Sequence, residues 1–124
     1  MKPAYLLLAS AVVASTGAPA ALAHHGWSWY DGSQEFTLTA TVVEKEFGNP
    51  HDRMTVEDAD GQRWNLLLSP PARSRRAGLT EDVVDIGSTI TAYGHRHQDA
   101  DTFEMKTERL EVAGKLYNVY PDRS

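Results

Sequence analysis

The stretch Glu35-Phe36-Thr37-Leu38-Thr39-Ala40-Thr41-Val42 sets apolar residues at 36, 38, 40 and 42 between threonines at 37, 39 and 41. Successive side chains of a strand point to opposite faces, so this spacing predicts a β-strand with one face in a core and β-branched threonines on the other. Downstream, Phe47-Gly48-Asn49-Pro50-His51 breaks the alternation. Met54 and Val56 then open a second strand, which stops at the hairpin signal Asp58-Ala59-Asp60-Gly61. Trp64, Leu66 and Leu68 alternate in a third strand. Ser69-Pro70-Pro71 ends it and predicts a helix of about two turns over Ala72 to Ala77, with Gly78 as a left-handed cap. After a loop from Thr80 to Gly87, Ile90 and Ala92 mark a fourth strand ending at Gly94. Phe103, Met105, Leu110 and Val112 mark a fifth, whose alternation slips by one residue as a bulge would make it. Ala113-Gly114-Lys115 then turns into a last strand, Leu116 to Tyr120.

Three strands, a short helix and two or three further strands predict an all-β fold with minor helix. The expected architecture is a small, partly open barrel of about five or six strands, of the oligonucleotide/oligosaccharide-binding (OB) type, with the helix between strands three and four. A sandwich is the competing arrangement. In such a barrel the loop after strand one and the loop after strand four are expected on one rim, which would bring His51 near His95 and His97.

The chain has 124 residues, 17 acidic against 12 basic side chains and 41% hydrophobic content, the composition of one globular domain and not of a disordered tail. A formal charge of −5 opposes any grip on a phosphate backbone, so nucleic acid is not expected as a partner. Cysteine is absent, which excludes disulfides, thiolate metal sites and a cysteine nucleophile. Any metal then falls to His, Met or carboxylate.

Lys2 precedes an apolar run from Tyr5 to Ala14, then Gly17, Pro19 and Ala21-Leu22-Ala23. This is the pattern of a secretory signal peptide over residues 1–23, leaving 24–124 as a single domain. An uncleaved membrane anchor is the competing reading, but Gly17 and Pro19 interrupt the segment and its apolar centre is too short to span. The expected mature protein is exported to the periplasm, has no stable membrane anchor, and carries 11 basic and 17 acidic groups on 101 residues.

All five histidines fall in that mature part. His24 and His25 open it, His51 sits in the Asn-Pro-His turn, and His95 and His97 leave the fourth strand. Imidazole is the commonest metal ligand, and sets of nitrogen donors suit copper or zinc. After cleavage at Ala23, the free α-amine and the ring of His24 would chelate one metal together, with a further His completing a T-shaped site favoured by copper. The candidate ligands are His24, His25 and His51, with His97 and the thioether of Met105 as additions. The bland alternatives are a solvated terminus for the His pair, a loop-capping ring for His51 and plain core for Met105.

Trp27, Trp29 and Tyr30 form an aromatic patch that either walls a ligand site or pins the terminal segment to the barrel. Arg73, Arg75 and Arg76 cluster in an otherwise acidic protein. On a helix Arg73 and Arg76 share a face suited to a carboxylate or phosphate, unless Glu81 or Asp82 simply pairs with it. The sequence has no nucleophile elbow, no Gly-rich phosphate loop and no H-E-x-x-H, so no catalytic constellation can be named.

Several stretches together resemble a domain-of-unknown-function family of small exported bacterial proteins. They are Ala23-His24-His25-Gly26-Trp27-Ser28 with Tyr30-Asp31, Asn49-Pro50-His51, Trp64, Leu68-Ser69-Pro70-Pro71 with Arg73, Arg76-Ala77-Gly78-Leu79, Gly94, His97 and Glu104-Met105-Lys106-Thr107-Glu108-Arg109-Leu110. The resemblance implies an exported all-β domain and carries no established activity. His95 departs from that family's pattern, in which an aromatic residue is common, and ranks behind the other histidines.

The leading expectation is therefore a periplasmic copper-binding barrel that is not an enzyme. The alternative is a non-metal binding module or assembly factor that holds an anionic ligand or a partner protein through Trp27, Trp29, Arg73 and Arg76. Intact-mass analysis of the exported protein is expected to show a chain beginning at His24. A mass retaining residues 1–23, or a start beyond His25, would remove the amine-imidazole chelate.

Overall fold

A computed structural model describes residues 26–123. The expected signal peptide, His24 and His25 lie outside the described residues. Six strands, β1 (Phe36–Glu46), β2 (Arg53–Glu57), β3 (Arg63–Leu67), β4 (Thr89–Arg96), β5 (Glu104–Val112) and β6 (Lys115–Asn118), are joined by one helix, α1 (Pro71–Arg76). Among the described residues no helix is long and apolar enough to cross a membrane.

The strands follow the order β3-β2-β1-β4-β5-β6, and β3 also pairs with β5 in parallel. That last pairing closes β1, β2, β3, β5 and β4 into a ring, with β6 as an antiparallel extension of β5. The expected OB-type barrel is thus present, with its wall closed and not partly open.

β1 continues past Val42 because a register shift between Val42 and Glu44 bends it from β4 towards β2. Likewise β4 runs through Gly94 to Arg96. A Cβ on Gly94 would lie 2.0 Å from the Lys106 carbonyl oxygen, so only glycine lets β4 and β5 approach so closely here. Across the same step, Tyr93 pairs with Arg109 while Gly94 pairs with Thr107. Glu108 is the extra residue, which is the bulge that the slipped alternation predicts.

Alternate residues of the strands fill the barrel. Val42, Val56, Leu66, Leu68, Ile90 and Leu110 are buried there, joined by Leu79 and Val84 from the segment that follows α1. α1 starts with Pro71 in its first turn and ends before Gly78, whose φ of +88° fits the expected left-handed cap. Its inward side is polar, with the buried Ser74 hydroxyl 2.7 Å from that of Ser69. Trp64 closes another part of the core. Its indole N–H donates to Asp58, and the Arg96 guanidinium stacks 4.8 Å from its ring and 5.5 Å from that of Phe103. Phe103 itself precedes β5 and is partly exposed.

The expected single rim for His51 and His97 is not what forms. The β1–β2 loop continues from Glu46, which pairs with Arg53, whereas the β4–β5 loop lies beyond Gly94, which pairs with Phe36. The two loops therefore leave opposite ends of β1. The order of the elements says which loops exist, but the register of β1 decides where they go.

Gly94→Ala is expected to destabilise the fold by about 3 kcal/mol, since the methyl meets backbone that cannot rotate away. Gly32, with open space around it, serves as the control, and Gly32→Ala should stay within about 0.5 kcal/mol. Urea unfolding of both variants measures the difference. Equal stability would mean that the close approach of β4 and β5 is dispensable.

Candidate functional site

The first described residues are docked along the end of β4. The Asp31 N–H donates to the Arg96 carbonyl at 2.9 Å, the Gln98 N–H donates to the Trp29 carbonyl at 2.9 Å, and Tyr30 bridges to His97. A turn closed by the Tyr30 N–H on the Trp27 carbonyl folds Trp27 back over the barrel wall. Its ring meets Tyr120 edge-on at 5.0 Å and His95 at 6.4 Å. The aromatic patch therefore pins the segment, and it also makes a roof.

Beneath that roof lie two charged side chains of β5. Lys106 and Glu108 are each only 1% exposed although both leave the outer face of the wall. Glu108 accepts from His95 Nε2 at 3.1 Å and stands 3.7 Å from the Arg109 guanidinium. Lys106 lies 5.1 Å from the Trp27 ring and 5.6 Å from the Tyr120 ring. Burial, with Arg123 nearby, pulls its amine down to about 8. Arg123 stacks on Trp27 at 3.8 Å, and Arg73 stacks on Tyr120 at 4.8 Å while pairing with Asp122 at 3.6 Å. Tyr30 donates to Glu104, and burial with that carboxylate beside it holds the phenol well above its ordinary range.

The structure thus joins Trp27 and Arg73, two features that are separate in the sequence, through Tyr120. Arg76 lies on the exposed side of α1 and, with Arg73 and Pro121, borders a small cleft of about 110 Å³. Trp29 is 46% exposed and leans on His97 at 6.3 Å.

The histidines divide by surroundings. His95 Nδ1 is 2.9 Å from the Asp31 and Gln34 carbonyls, and its Nε2 faces Glu108, so both ring nitrogens are taken up by acceptors. At His97, Nδ1 accepts from the Asp99 N–H at 3.0 Å, which leaves Nε2 as the nitrogen free to meet a ligand. His51 is at the other end of β1, in a cleft with Glu46 and Arg53. Met105 is 0% exposed in the core, so its sulfur is removed from any ion on the surface. Among the described residues no group of three or more His, Asp or Glu is placed to hold a metal.

Lys106, Glu108, Tyr120 and Arg123 were not candidates from the sequence. Their signal was faint: a Lys and a Glu two apart in a strand whose alternation slips.

The sequence profile of a family of unknown function, DUF6152, matches residues 11–106. No curated protein matches. Among solved structures, a chain of the S. pombe Stn1-Ten1 complex is similar with a TM-score of 0.50 at 13% identity, over 65% of this chain and 59% of that one. A ZRD-deleted mutant of TiaS in complex with agmatine is similar with a TM-score of 0.50 at 12% identity, over 72% of this chain and 27% of that one. The chain spans less than two thirds of each of these two structures, and at these identities the likeness is one of fold.

The buried amine has a consequence for stability. Its folded value of about 8 lies below the ordinary 10.5, so between those values the unfolded chain holds the more protons. The cost of burying the charged amine is then fully present below about pH 8 and is relieved as pH rises through the window. Urea midpoints of wild type and Lys106→Met should therefore converge, or cross in favour of wild type, between about pH 7 and pH 10. A stability gap that stays constant or moves the other way would show Lys106 to be charged and comfortable throughout.

Proposed function

The chain belongs to the family of unknown function DUF6152, and we propose that it is an exported periplasmic domain that binds a metal, copper first, at its mature amino terminus. The proposed donors are the α-amine and ring of His24, with His97 as the further imidazole. What supports His97 is the docking of Trp27 to Asp31 along Arg96 to Gln98. Trp27 stands three residues after His24, and a chain reaches at most about 3.6 Å per residue. With that reach, donors at residue 24 would come within range of the His97 end of β1. Nε2 of His97 is the nitrogen that would coordinate, with Nδ1 oriented by the Asp99 amide. His25 is a neighbour able to substitute for His24, and His51 takes no part.

A second reading is favoured by the stack of Arg73, Tyr120, Trp27 and Arg123 over Lys106. Several cations converge there in an acidic chain with Asp122 as the carboxylate beside Arg73. Such a surface suits a carboxylate or phosphate of a ligand or partner protein.

Cu(II) titration of the processed protein tests the first reading. About one equivalent should bind, more weakly as pH falls through roughly 8 to 6.5, because the amine and imidazoles must be unprotonated. One extra residue before His24, or His97→Ala, should weaken binding, while His51→Ala should not. Equal affinity in all four proteins would indicate adventitious surface binding, and the stacked cations would become the site to pursue.

A further inference from the structure

The Phe47-Gly48-Asn49 strap in the β1–β2 loop has a cleft on each side. The one between the strap and α1, of about 280 Å³, is lined by Asp52, Arg75 and Glu81 with apolar walls from Phe47, Pro71 and Leu79. Asp52 is 2% exposed, and its Oδ1 has no hydrogen-bond partner. Its backbone is held on both sides, the N–H donating to the Ser69 carbonyl and the carbonyl accepting from Leu68, each at 2.9 Å. The carboxylate is therefore fixed in place with an oxygen lacking a donor. Buried acceptors in that state are rare, and a ligand that brings the donor is one reason for them to persist. Arg75 sits on the rim of the same cleft and is exposed. No ion pair holds its guanidinium among the described residues.

We infer that this cleft is a binding site for a small zwitterion, a free α-amino acid with an apolar side chain. The ammonium pairs with the Asp52 carboxylate at the cleft wall, the ligand's carboxylate pairs with Arg75, and the side chain lies on Phe47 and Pro71. The volume is just below the usual range of about 300–1,000 Å³ for ligand sites, which limits the occupant to one small molecule. None of these residues belongs to the proposed copper site, so either idea can fail without the other.

The test is an amide NMR titration of the processed protein with L-leucine, alongside isovalerate and isoamylamine, which each lack one of the two charges. L-leucine should shift the amides of residues 47–52 and 72–80 and bind more tightly than either analogue. Asp52→Asn should weaken it about tenfold or more, the size expected for losing a hydrogen bond to a charged group. Arg75→Ala, at an exposed position, should weaken it and level L-leucine with isoamylamine. No shifts up to a concentration on the order of 10 mM, shifts confined to another surface, or unchanged affinity in Arg75→Ala would overturn the proposal. Isoamylamine binding as tightly as L-leucine in wild type would overturn it too, in favour of a simple amine.

Discussion

Parallel pairing between β3 and β5 sets Asn65, Leu66 and Leu67 beside Glu104, Met105 and Lys106, and this contact turns a sheet into a barrel. A closed wall gives each of its five strands a neighbour on both sides along part of its length and encloses one common core. Reaching that closure demands that β4 and β5 bend together. They do so where Gly94 passes the Lys106 carbonyl at a distance no Cβ would tolerate and where Glu108 is the extra residue. The inward turn of Met105 and the outward turn of Lys106 go with that bend.

The bulge has an electrostatic consequence. It leaves Lys106 and Glu108 on the outside of the wall, where they would ordinarily be solvated. Instead Trp27 from before β1 and Tyr120 from after β6 cover them. Removing a charge from water is costly unless something replaces the solvent. For Glu108 the replacement is His95 and Arg109, and for Lys106 it is two aromatic faces. The Glu108 carbonyl also accepts from the Val119 and Tyr120 amides. The segment leading in and the segment leading out therefore meet over Lys106 of β5. This arrangement holds Trp27 to Asp31 against the barrel.

Much of the fold was legible because each clue was local. Alternation at 36–42, 54–56 and 64–68 reports burial on one face, Pro71 and Gly78 bracket the helix, and the slip between Met105 and Leu110 reports a bulge. The ends of β1 and β4 were not legible, since ladder hydrogen bonds continue through Glu44, Lys45 and Arg96 whatever their side chains. The candidate site was less readable still. His51 and His97 look alike in sequence, yet β1 runs its whole length between their loops. Trp27 and Arg73 look unrelated, yet both stack on Tyr120.

By itself the sequence determined the class of fold, the order of its elements, the bulge and the absence of any thiolate chemistry, because these depend on residue type and on spacing over a few positions. Only the tertiary structure decided which loops and side chains meet. Strand register, barrel closure and the path of the terminal segment are set by contacts between residues such as Trp27 and Tyr120, or Gly94 and Lys106, that are distant along the chain. No local spacing encodes them.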